Sequence, residues 1–422
     1  MAKPKYTTHL GMVDILPDES PKWRALEQII HEEAAKFNFE EIRTPIMEQT
    51  ELIVRGIGQL TDIVSKEIFA FKKGDSHYVL RPELTAPVVR AFVEHHMQQR
   101  GGSQKLYYIG PMFRAEKPQK GRQRQFHQFG VEIIGSDDPV ADVECISFMM
   151  QIYKRIGIKN FELKLNSVGD PESREAYKEA LRDFLKPNLD KMSELSQKRF
   201  EKNPMRILDS KEEEDQEFIK KAPVIQDYLN DESKEHFERV TNYLSELGID
   251  YTLDPYLVRG MDYYTRTAFE LTSPDLGSQD ALAGGGRYDL LVEEIGGQDT
   301  PAVGFAAGME RLMIACEELD INLAEEKSVD VYFVTLGDEA RNWALSHLPK
   351  VREAGLSATM DYMSRSMKAQ MKDANRENAL YTIIVGGNEL QEGKFTLRNM
   401  KESEEASLEF EAIVEKLTQK LL

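Results

Sequence analysis

The chain has 422 residues, of which 41% are hydrophobic and 30% charged, and its formal charge is −19. This length exceeds what one hydrophobic core usually organises, so we expect about two or three domains. The negative charge argues against a protein that coats nucleic acid indiscriminately, although a local basic patch can still bind RNA.

No apolar run reaches the roughly 18 residues of a membrane-spanning helix, so we expect no such helix. Lys3 and Lys5 are followed by no apolar stretch, and we expect no secretory signal. Cys145 and Cys316 lie in apolar, helical-looking runs without metal-ligand spacing. Both are predicted to be packed free thiols in a reducing cytoplasm.

The first predicted helix follows a turn-rich segment, residues 9–18. Asp18 or Ser20 is expected to cap this helix, with Pro21 in its first turn. Apolar residues recur at spacings of three and four and predict one buried stripe. They are Trp23, Leu26, Ile30, Ala34 and Phe37. A short strand with Pro45 is predicted over residues 41–46.

A strand-to-helix turn is predicted between Pro82 and Pro87. Glu83 and Thr85 in this turn could project into a cleft. Alternatively, one of them caps the helix predicted over residues 88–96. Capping explains Thr85 better than it explains Glu83.

The central feature is a predicted antiparallel hairpin over residues 106–135, with an apolar strand at each end. The connecting loop is basic, with Glu116 as the one nearby carboxylate. Its basic residues are Arg114, Lys117, Lys120, Arg122 and Arg124. Guanidinium forks suit phosphate oxygens, but a solvated hairpin tip would have the same composition.

Beyond the hairpin, a Met-rich helix (142–156) and a strand (161–166) are predicted. Charged helical stretches with few aromatic residues then run from about 170 to 253, which indicates a helical insertion. Residues 209–217, which are dominated by acids, are expected to form a solvated face.

Apolar, glycine-marked segments return at residues 254–271 and 280–317, and strands then alternate with helices. This alternation predicts a separate small α/β domain. The predicted strands are 329–336, 357–361, 381–385 and 395–399, and the helices are 338–354, 366–376 and 408–421. No GxGxxG string follows Gly337, so a dinucleotide site there is not expected.

Three further strings carry candidate functional residues. In residues 257–264 Arg259 stands beside a glycine and precedes paired tyrosines, an unusual composition for a core strand. In residues 283–288 three glycines precede Arg287 and, taken alone, favour the conformational freedom of a turn. Residues 304–312 place Arg311 near the start of a predicted helix.

Together these strings resemble the histidyl-tRNA synthetase family of class II aminoacyl-tRNA synthetases. The string from Phe113 to Glu116 is similar to class II motif 2, residues 304–312 to motif 3, and the strand around Pro45 to motif 1. Residues 259–264 and 283–288 resemble the two histidine-specific signatures. The resemblance spans essentially the whole chain. Its departures are small: Leu84 is at a variable site, and Ala115 and Lys117 replace commoner residues.

The resemblance implies an α+β class II catalytic domain, an antiparallel sheet flanked by helices, over residues 1–326 with a helical insertion at about 170–253. An α/β anticodon-binding domain is implied for residues 327–422. The implied activity joins histidine to ATP as histidyl-adenylate, releases pyrophosphate, and transfers histidine to the 3′ end of tRNA(His). A cytoplasmic homodimer is implied, with ATP and Mg²⁺ as substrate complex, no metal site made by the protein, and no membrane partner.

The resemblance also assigns roles to individual residues. Arg259 and Arg114 would be catalytic. Histidine would be bound by Glu83, Thr85, Gln128, Glu132, Arg259, Tyr263, Tyr264 and Tyr288. ATP would be bound by Arg114, Glu116, Phe126 and Arg311. The tRNA would be bound by Lys117, Gln119, Lys120 and Arg122. Glu132 and Tyr264 would bracket the imidazole, and a site with demands on both ring nitrogens rejects isosteres that lack them.

Two alternatives remain open from sequence. One is an inert paralogue acting as regulatory subunit of ATP phosphoribosyltransferase, a class that lacks the anticodon domain and signature residues. The presence of Arg114, Glu116, Arg259, Arg287 and Arg311 argues against it. The other is a module that only binds RNA or protein, and the intact ATP-contacting residues argue against that.

Overall fold

The computed structural model of the protein describes residues 4–58, 61, 63–279, 281–324 and 328–422. The chain divides into two units, Met1–Leu323 and Ala324–Leu422. Asp280 and the domain boundary predicted between Glu326 and Lys327 lie outside the described residues.

The larger unit is organised around an eight-stranded sheet, antiparallel except at its two edges, and a separate three-stranded sheet. The strands are β1 Glu40–Glu41, β2 Met47–Gln49, β3 Phe69–Lys73, β4 Ser76–Leu80, β5 Gln104–Phe113, β6 Gln125–Ile134, β7 Glu162–Ser167, β8 Thr252–Leu253, β9 Thr265–Thr272, β10 Ala281–Arg287 and β11 Ala302–Gly308. The large sheet has the order β1-β5-β6-β11-β10-β9-β7-β8, and the small one β2-β4-β3. The predicted antiparallel sheet flanked by helices is present. Strand β1 is shorter than the strand predicted over 41–46.

Helices flank this sheet and form the insertion. They are α1 Ser20–Lys36, α2 Thr50–Ile57, α3 Thr85–Glu94, α4 Pro139–Ile156, α5 Pro171–Leu185, α6 Glu194–Lys202, α7 Glu213–Ile219, α8 Asp231–Glu246, α9 Leu291–Glu294 and α10 Met309–Glu318. Short 3₁₀ segments lie at Met97–Arg100, Lys186–Lys191, Pro204–Ile207, Ile225–Tyr228 and Pro274–Gln279, and a π-helical turn lies at Ile63–Glu67.

The hairpin predicted over residues 106–135 is present. Strands β5 and β6 are ten residues each and pair from Gln104 with Ile134 to Phe113 with Gln125. The basic loop connects the paired ends of these two long strands. The strand pairing therefore fixes the positions of the two ends of the loop.

The triple glycine lies in the middle of the sheet and not in a turn, so the turn interpretation is wrong. Gly284, Gly285 and Gly286 belong to β10, which pairs with β9 on one side and β11 on the other. A Cβ at Gly285 would lie 2.2 Å from the carbonyl oxygen of Gly304, and one at Gly284 would lie 2.0 Å from the guanidinium of Arg259. The glycines are needed because strand and arginine pack against this backbone.

Helix α1 buries the predicted stripe, since Leu26, Ile30 and Ala34 are fully buried. The predicted cap is wrong. The Oγ of Ser20 donates to the carbonyl oxygen of Leu16 at 3.0 Å, and no side chain caps the helix. The Met-rich helix is present as α4, and Cys145 and Cys316 are both buried free thiols, as predicted.

The insertion is helical as predicted, but its acidic stretch is not all solvated. Asp215 is fully buried and accepts hydrogen bonds from the hydroxyls of Ser193, Ser196 and Ser210 at 2.8, 2.6 and 2.5 Å. The backbone N–H of Ser193 donates to it as well, at 2.9 Å. A single buried acid thus joins three segments of the insertion.

The smaller unit is a five-stranded α/β domain with a core of its own. Its strands are β12 Val329–Thr335, β13 Ala358–Met360, β14 Ala379–Val385, β15 Phe395–Asn399 and β16 Glu405–Leu408, in the order β13-β12-β14-β15-β16. Its helices are α11 Asp338–Glu353, α12 Met367–Arg376, α13 Gly387–Glu392 and α14 Phe410–Leu421. The sequence did not predict α13 or β16. Within the described part of the chain, no helix has the length and apolarity needed to cross a bilayer.

Candidate functional site

A cavity of about 320 Å³ opens in the larger unit where four segments meet. These are the ends of β5 and β6, the turn before α3, residues 257–264, and the central strands β10 and β11. Twelve of the sixteen predicted site residues line it: Glu83, Thr85, Arg114, Glu116, Arg122, Phe126, Gln128, Arg259, Tyr263, Tyr264, Tyr288 and Arg311. Residues up to 228 positions apart, Glu83 and Arg311, are therefore brought to one site.

The other four predicted residues lie elsewhere. Lys117, Gln119 and Lys120 are exposed on the loop between β5 and β6. Lys120 pairs with Glu318 at 2.6 Å, and Gln119 pairs with Arg122 through the backbone. The fourth, Glu132, lies behind the cavity wall.

Glu132 is completely buried and is held by three hydroxyl groups. Thr85 Oγ1 donates to it at 2.8 Å, Tyr108 Oη at 3.1 Å, and Tyr288 Oη also donates to it. Burial raises the pKa of the Glu132 carboxyl to about 8, although these hydrogen bonds oppose the rise. Gly304 makes room for it, because a Cβ there would lie 1.8 Å from Glu132 Oε2.

The turn before α3 reverses the predicted roles of its two polar residues. Glu83 caps the helix, accepting the backbone N–H groups of Thr85 at 2.6 Å and Ala86 at 2.9 Å. Thr85, the better capping candidate by sequence, instead donates its hydroxyl to Glu132. Burial raises the pKa of Glu83 as well.

Gln128 and three tyrosines form the inner end of the cavity. Gln128 is 9% exposed, and its Oε1 has no hydrogen-bond partner among the described residues. The ring of Tyr263 lies 4.6 Å from that of Tyr264 and 5.6 Å from that of Tyr288. This end offers an unsatisfied acceptor beside aromatic walls, an arrangement suited to a small cation-bearing ligand.

Arg259 reaches the cavity across the glycine strand. Its Nη1 donates to Glu270 Oε2 at 2.7 Å, and its Nε has no partner among the described residues. Its guanidinium occupies the space that a side chain at Gly284 would fill. Three other glutamates at this cavity, Glu67, Glu270 and Glu310, were not singled out from sequence. Glu270 is the single acid of β9, TRTAFELT, which was the available signal.

Three further cations surround the outer end of the cavity. Arg114 donates from Nε to the carbonyl oxygen of Pro82 at 2.9 Å, and its guanidinium lies 5.1 Å from the ring centroid of Phe126. Arg311, in the first turn of α10, donates to the carbonyl oxygen of Ala281 at 2.9 Å. Arg122 lies 3.5 Å from Glu116. Burial lowers the pKa of Arg311.

Arg287, counted with the signature residues in the sequence, is a structural residue. It is fully buried and forms an ion pair with Asp142 and a second one with Asp289 at 3.2 Å. It also donates to the carbonyl oxygen of Ser136 at 2.8 Å. Its presence therefore carries less weight against an inert paralogue than Arg259 does.

Comparisons with known proteins agree with this geometry. A family model described as histidyl-tRNA synthetase matches residues 11–312, and one described as anticodon binding domain matches residues 330–420. The histidine–tRNA ligase of Chloroherpeton thalassium is 50% identical over 408 residues, which cover 96% of each chain. That of Listeria innocua is 48% identical over 412 residues, 97% of each chain.

Among solved structures, apo histidyl-tRNA synthetase from S. aureus superposes with a TM-score of 0.82 at 41% identity, covering 99% of this chain and 100% of that one. A protein described as an ATP phosphoribosyltransferase regulatory subunit/histidyl-tRNA synthetase, from Bacillus halodurans, gives a TM-score of 0.67 at 22% identity, with 91% and 100% covered. The second likeness concerns the fold alone.

Proposed function

The chain belongs to the histidyl-tRNA synthetase family, and from that premise we propose that the 320 Å³ cavity is where it activates histidine with ATP. It is an aminoacyl-tRNA synthetase of the ligase class, which charges tRNA(His) with histidine by way of an adenylate. The observation that carries the proposal for the site is that residues expected at histidine and residues expected at ATP line one cavity.

The inner end suits histidine. The ammonium would be bound by Glu83, Thr85 and Gln128, and the free Oε1 of Gln128 supports this assignment. We propose that Tyr264 recognises one imidazole nitrogen directly and that Glu132, from behind the cavity wall, acts on the other indirectly. Glu132 would act through Thr85 and Tyr288. Both residues line the cavity, and their hydroxyl groups donate hydrogen bonds to Glu132. Tyr263 would close the remaining wall.

The outer end suits ATP. Arg114 and Arg311 bring two guanidinium groups to the cavity, where they would contact the α- and γ-phosphates respectively. Glu116 would accept from the adenine edge. The ring of Phe126, already beside Arg114, would pack against the nucleotide.

The chemistry follows from charge. The histidine carboxylate attacks the α-phosphate and pyrophosphate leaves, so two anions must approach in line. Arg259 and Arg114 would neutralise that approach, acting as preorganised donors in a cavity of low water content. Glu270 supports this role because it fixes the Arg259 guanidinium at 2.7 Å before substrate arrives. No protein nucleophile is required.

Mg²⁺ would enter on the β- and γ-phosphates of ATP and neutralise them. The described residues contain no group of three or more His, Cys, Asp or Glu side chains able to hold a metal. Glu116 and Glu310 line the cavity and would be carboxylates available to such an ion.

The tRNA acceptor end would be bound by Lys117, Gln119, Lys120 and Arg122, on the loop that leads into the cavity. We propose residues 327–422 as the domain that binds the anticodon. A protein truncated after Glu326 should keep pyrophosphate exchange and lose charging rate, with a flatter salt dependence by about one log–log unit per lost phosphate contact. A folded truncated protein that charges tRNA as well as the full chain would contradict this.

We also propose a homodimer formed through the segment similar to motif 1. Ile46 and Met47 in this segment are 43% and 47% exposed, and the preceding Leu10, Val13 and Leu16 are exposed too. Large exposed apolar side chains of this density mark contact surfaces. Sedimentation of the full chain and of Met47→Glu tests it, since only the variant should dissociate. Because charging takes place where translation does, we place the enzyme in the cytoplasm.

The decisive test of the reaction is ATP–pyrophosphate exchange with each of the twenty amino acids. Histidine alone should support exchange. An inert regulatory paralogue would support none, and a module that only binds RNA would retain tRNA while failing to exchange.

A further inference from the structure

The loop of residues 257–264 separates the active-site cavity from a second cavity of about 250 Å³. Arg259, Met261 and Tyr264 line both cavities and form the shared wall. The opposite wall of the second cavity comes from the helical insertion, through α5, the end of α6 and the 3₁₀ turn Pro204–Ile207.

The second cavity has an excess of positive charge. Its basic lining residues are Arg174, Lys178, Lys202, Arg206 and Arg259, against one lining acid, Asp262. Three of the five have an ion-pair partner: Lys178 with Glu175 at 2.6 Å, Arg259 with Glu270 at 2.7 Å and Arg206 with Asp262 at 3.4 Å. Arg174 and Lys202 have no carboxylate partner among the described residues.

Two of these arginines also have a side-chain donor for which the described residues provide no acceptor. The Nε atoms of Arg174 and Arg206 are buried and have no acceptor in the described part of the chain. A buried donor without an acceptor is destabilising. Burial also lowers the pKa of Arg174, although nearby carboxylates, Asp262 first among them, act in the opposite direction.

The same arginines hold the loop that carries Arg259 and Tyr264. Arg174 Nη1 donates to the carbonyl oxygens of Tyr264 at 2.7 Å and Asp262 at 3.3 Å. Arg206 Nη2 donates to the carbonyl oxygen of Gly260 at 2.5 Å. The position of the loop therefore depends on both arginines.

We propose that the second cavity binds a small phosphate-class oxyanion, with Arg174, Lys202 and Arg206 as its principal ligands. Guanidinium forks match the geometry of phosphate oxygens, and the anion would compensate the excess of positive charge among the lining residues. The shared chemistry has two sources, free phosphate and an RNA phosphodiester. The volume, about 250 Å³, favours the free ion. A bound anion would stabilise the loop from its rear face.

The test is calorimetric titration of inorganic phosphate into the full chain saturated with α,β-methylene-ATP, which occupies the ATP side of the first cavity. One phosphate should bind per chain. Arg206→Gln and Lys202→Gln should each weaken binding by about tenfold or more, the scale of one charge-assisted contact. Lys198→Gln is the matched control, because Lys198 lies on the same helix, is exposed and does not line the cavity.

Circular dichroism checks folding, since Arg206 also anchors the loop. Lys202 anchors no backbone group of the loop, so its variant isolates binding from loop position. Absence of phosphate binding in the unaltered protein, or equal affinities for Lys202→Gln and Lys198→Gln, would overturn the proposal. A raised KM for tRNA in Lys202→Gln without any phosphate binding would assign the cavity to an RNA phosphodiester and overturn it too. The titration measures binding and requires no catalysis. Its result is therefore independent of whether the protein supports pyrophosphate exchange.

Discussion

Arg259 and Arg287 occupy similar signature strings, yet they lie in opposite environments. Arg287 is fully buried, with two carboxylates and two backbone carbonyl oxygens around it. Arg259 is 18% exposed at a cavity, with one carboxylate partner and a free Nε. The guanidinium of Arg287 is surrounded by acceptors from the protein, whereas that of Arg259 has fewer protein partners and lies beside a cavity that can hold a ligand.

The two signature strings therefore contain residues of different kinds: Arg259 is placed to contact a ligand, whereas Arg287 stabilises the structure around the site. Although burial works against it, the charge of Arg287 holds the pKa of Asp142 far below its usual range, so the pair stays ionised. This pair ties the end of β10 to α4 and thereby fixes the strand against which Arg259 lies. Arg287 supports the site without touching the cavity.

The largest expected effect is on stability, from Arg287→Met. Removing one partner of a buried pair leaves the Asp142 carboxylate with the His236 imidazole, 3.5 Å away, as its one remaining side-chain partner among the described residues, and should cost about 3–5 kcal/mol of unfolding free energy. Denaturant titration measures it. Arg398→Ala, which breaks the exposed pair with Glu405 at 3.0 Å, is the control and should cost about 0–1 kcal/mol.

The double variant Arg287→Met with Asp142→Leu sharpens this test. Replacing both charges by apolar side chains should recover most of the lost stability, because no buried charge remains. A double variant as unstable as the single one would show that the other contacts of Arg287 dominate. The loss of stability in Arg287→Met would then not be caused by an unpaired buried charge.

Arg259→Ala should act on rate and not on stability. We expect pyrophosphate exchange to fall by at least about 10²-fold, the scale of losing one preorganised donor, with a smaller change in histidine affinity. Exchange kinetics and equilibrium binding of histidine separate the two. Arg239→Ala, in an exposed pair with Asp138, is the control for removal of an arginine. Equal losses of affinity and rate would show that Arg259 does not favour the transition state.

The fold could be predicted from sequence where its determinants are local. Strands β5 and β6 each carry their own apolar pattern and are joined by one loop, so their hairpin was predictable. The packing of Gly285 against the carbonyl oxygen of Gly304 depends on strand order, which no local pattern contains. The same glycines were therefore equally compatible with a turn.

The site was predicted mainly through resemblance, and the errors have physical causes. Glu83 was a poor capping candidate because glutamate is an uncommon N-cap, yet its buried carboxylate accepts two helix N–H groups. Asp215 sits in an acidic run, and two of its hydroxyl donors are 19 and 22 residues away. Side chains that satisfy buried groups across such distances cannot be identified from charge patterns.

Glu132 is the intermediate case, a buried acid that has no cation partner within the described part of the chain. Glu132→Gln should lower kcat/KM for histidine and leave the KM for ATP near its original value, because the ATP end of the cavity is formed by other residues. Steady-state exchange kinetics measure both. Asp215→Asn is the matched control: it removes a buried carboxylate held by hydroxyls but lies in the insertion. If histidine kinetics are unchanged in Glu132→Gln, Glu132 is structural in the same sense as Arg287.

The smallest effect concerns pH. The pKa of Glu132 rises from 4.5 to about 8 on folding, so the folded protein binds this proton more tightly than the unfolded chain. The resulting stability is fully present below pH 4.5 and is lost as pH rises through about 8. In Glu132→Gln that loss should disappear. The free energy of unfolding of the variant should therefore rise relative to that of the unaltered protein between these two pH values, as measured by ligand-free denaturant titrations.

Asp215→Asn is the control. Burial also opposes ionisation of Asp215, but its hydrogen bonds lower the pKa below 3.8, so Asp215→Asn should change the pH dependence of stability only in acid. A parallel pH profile for Glu132→Gln and the unaltered protein would show that Glu132 is ionised at neutral pH, making it a fully compensated charge like the Arg287 pair.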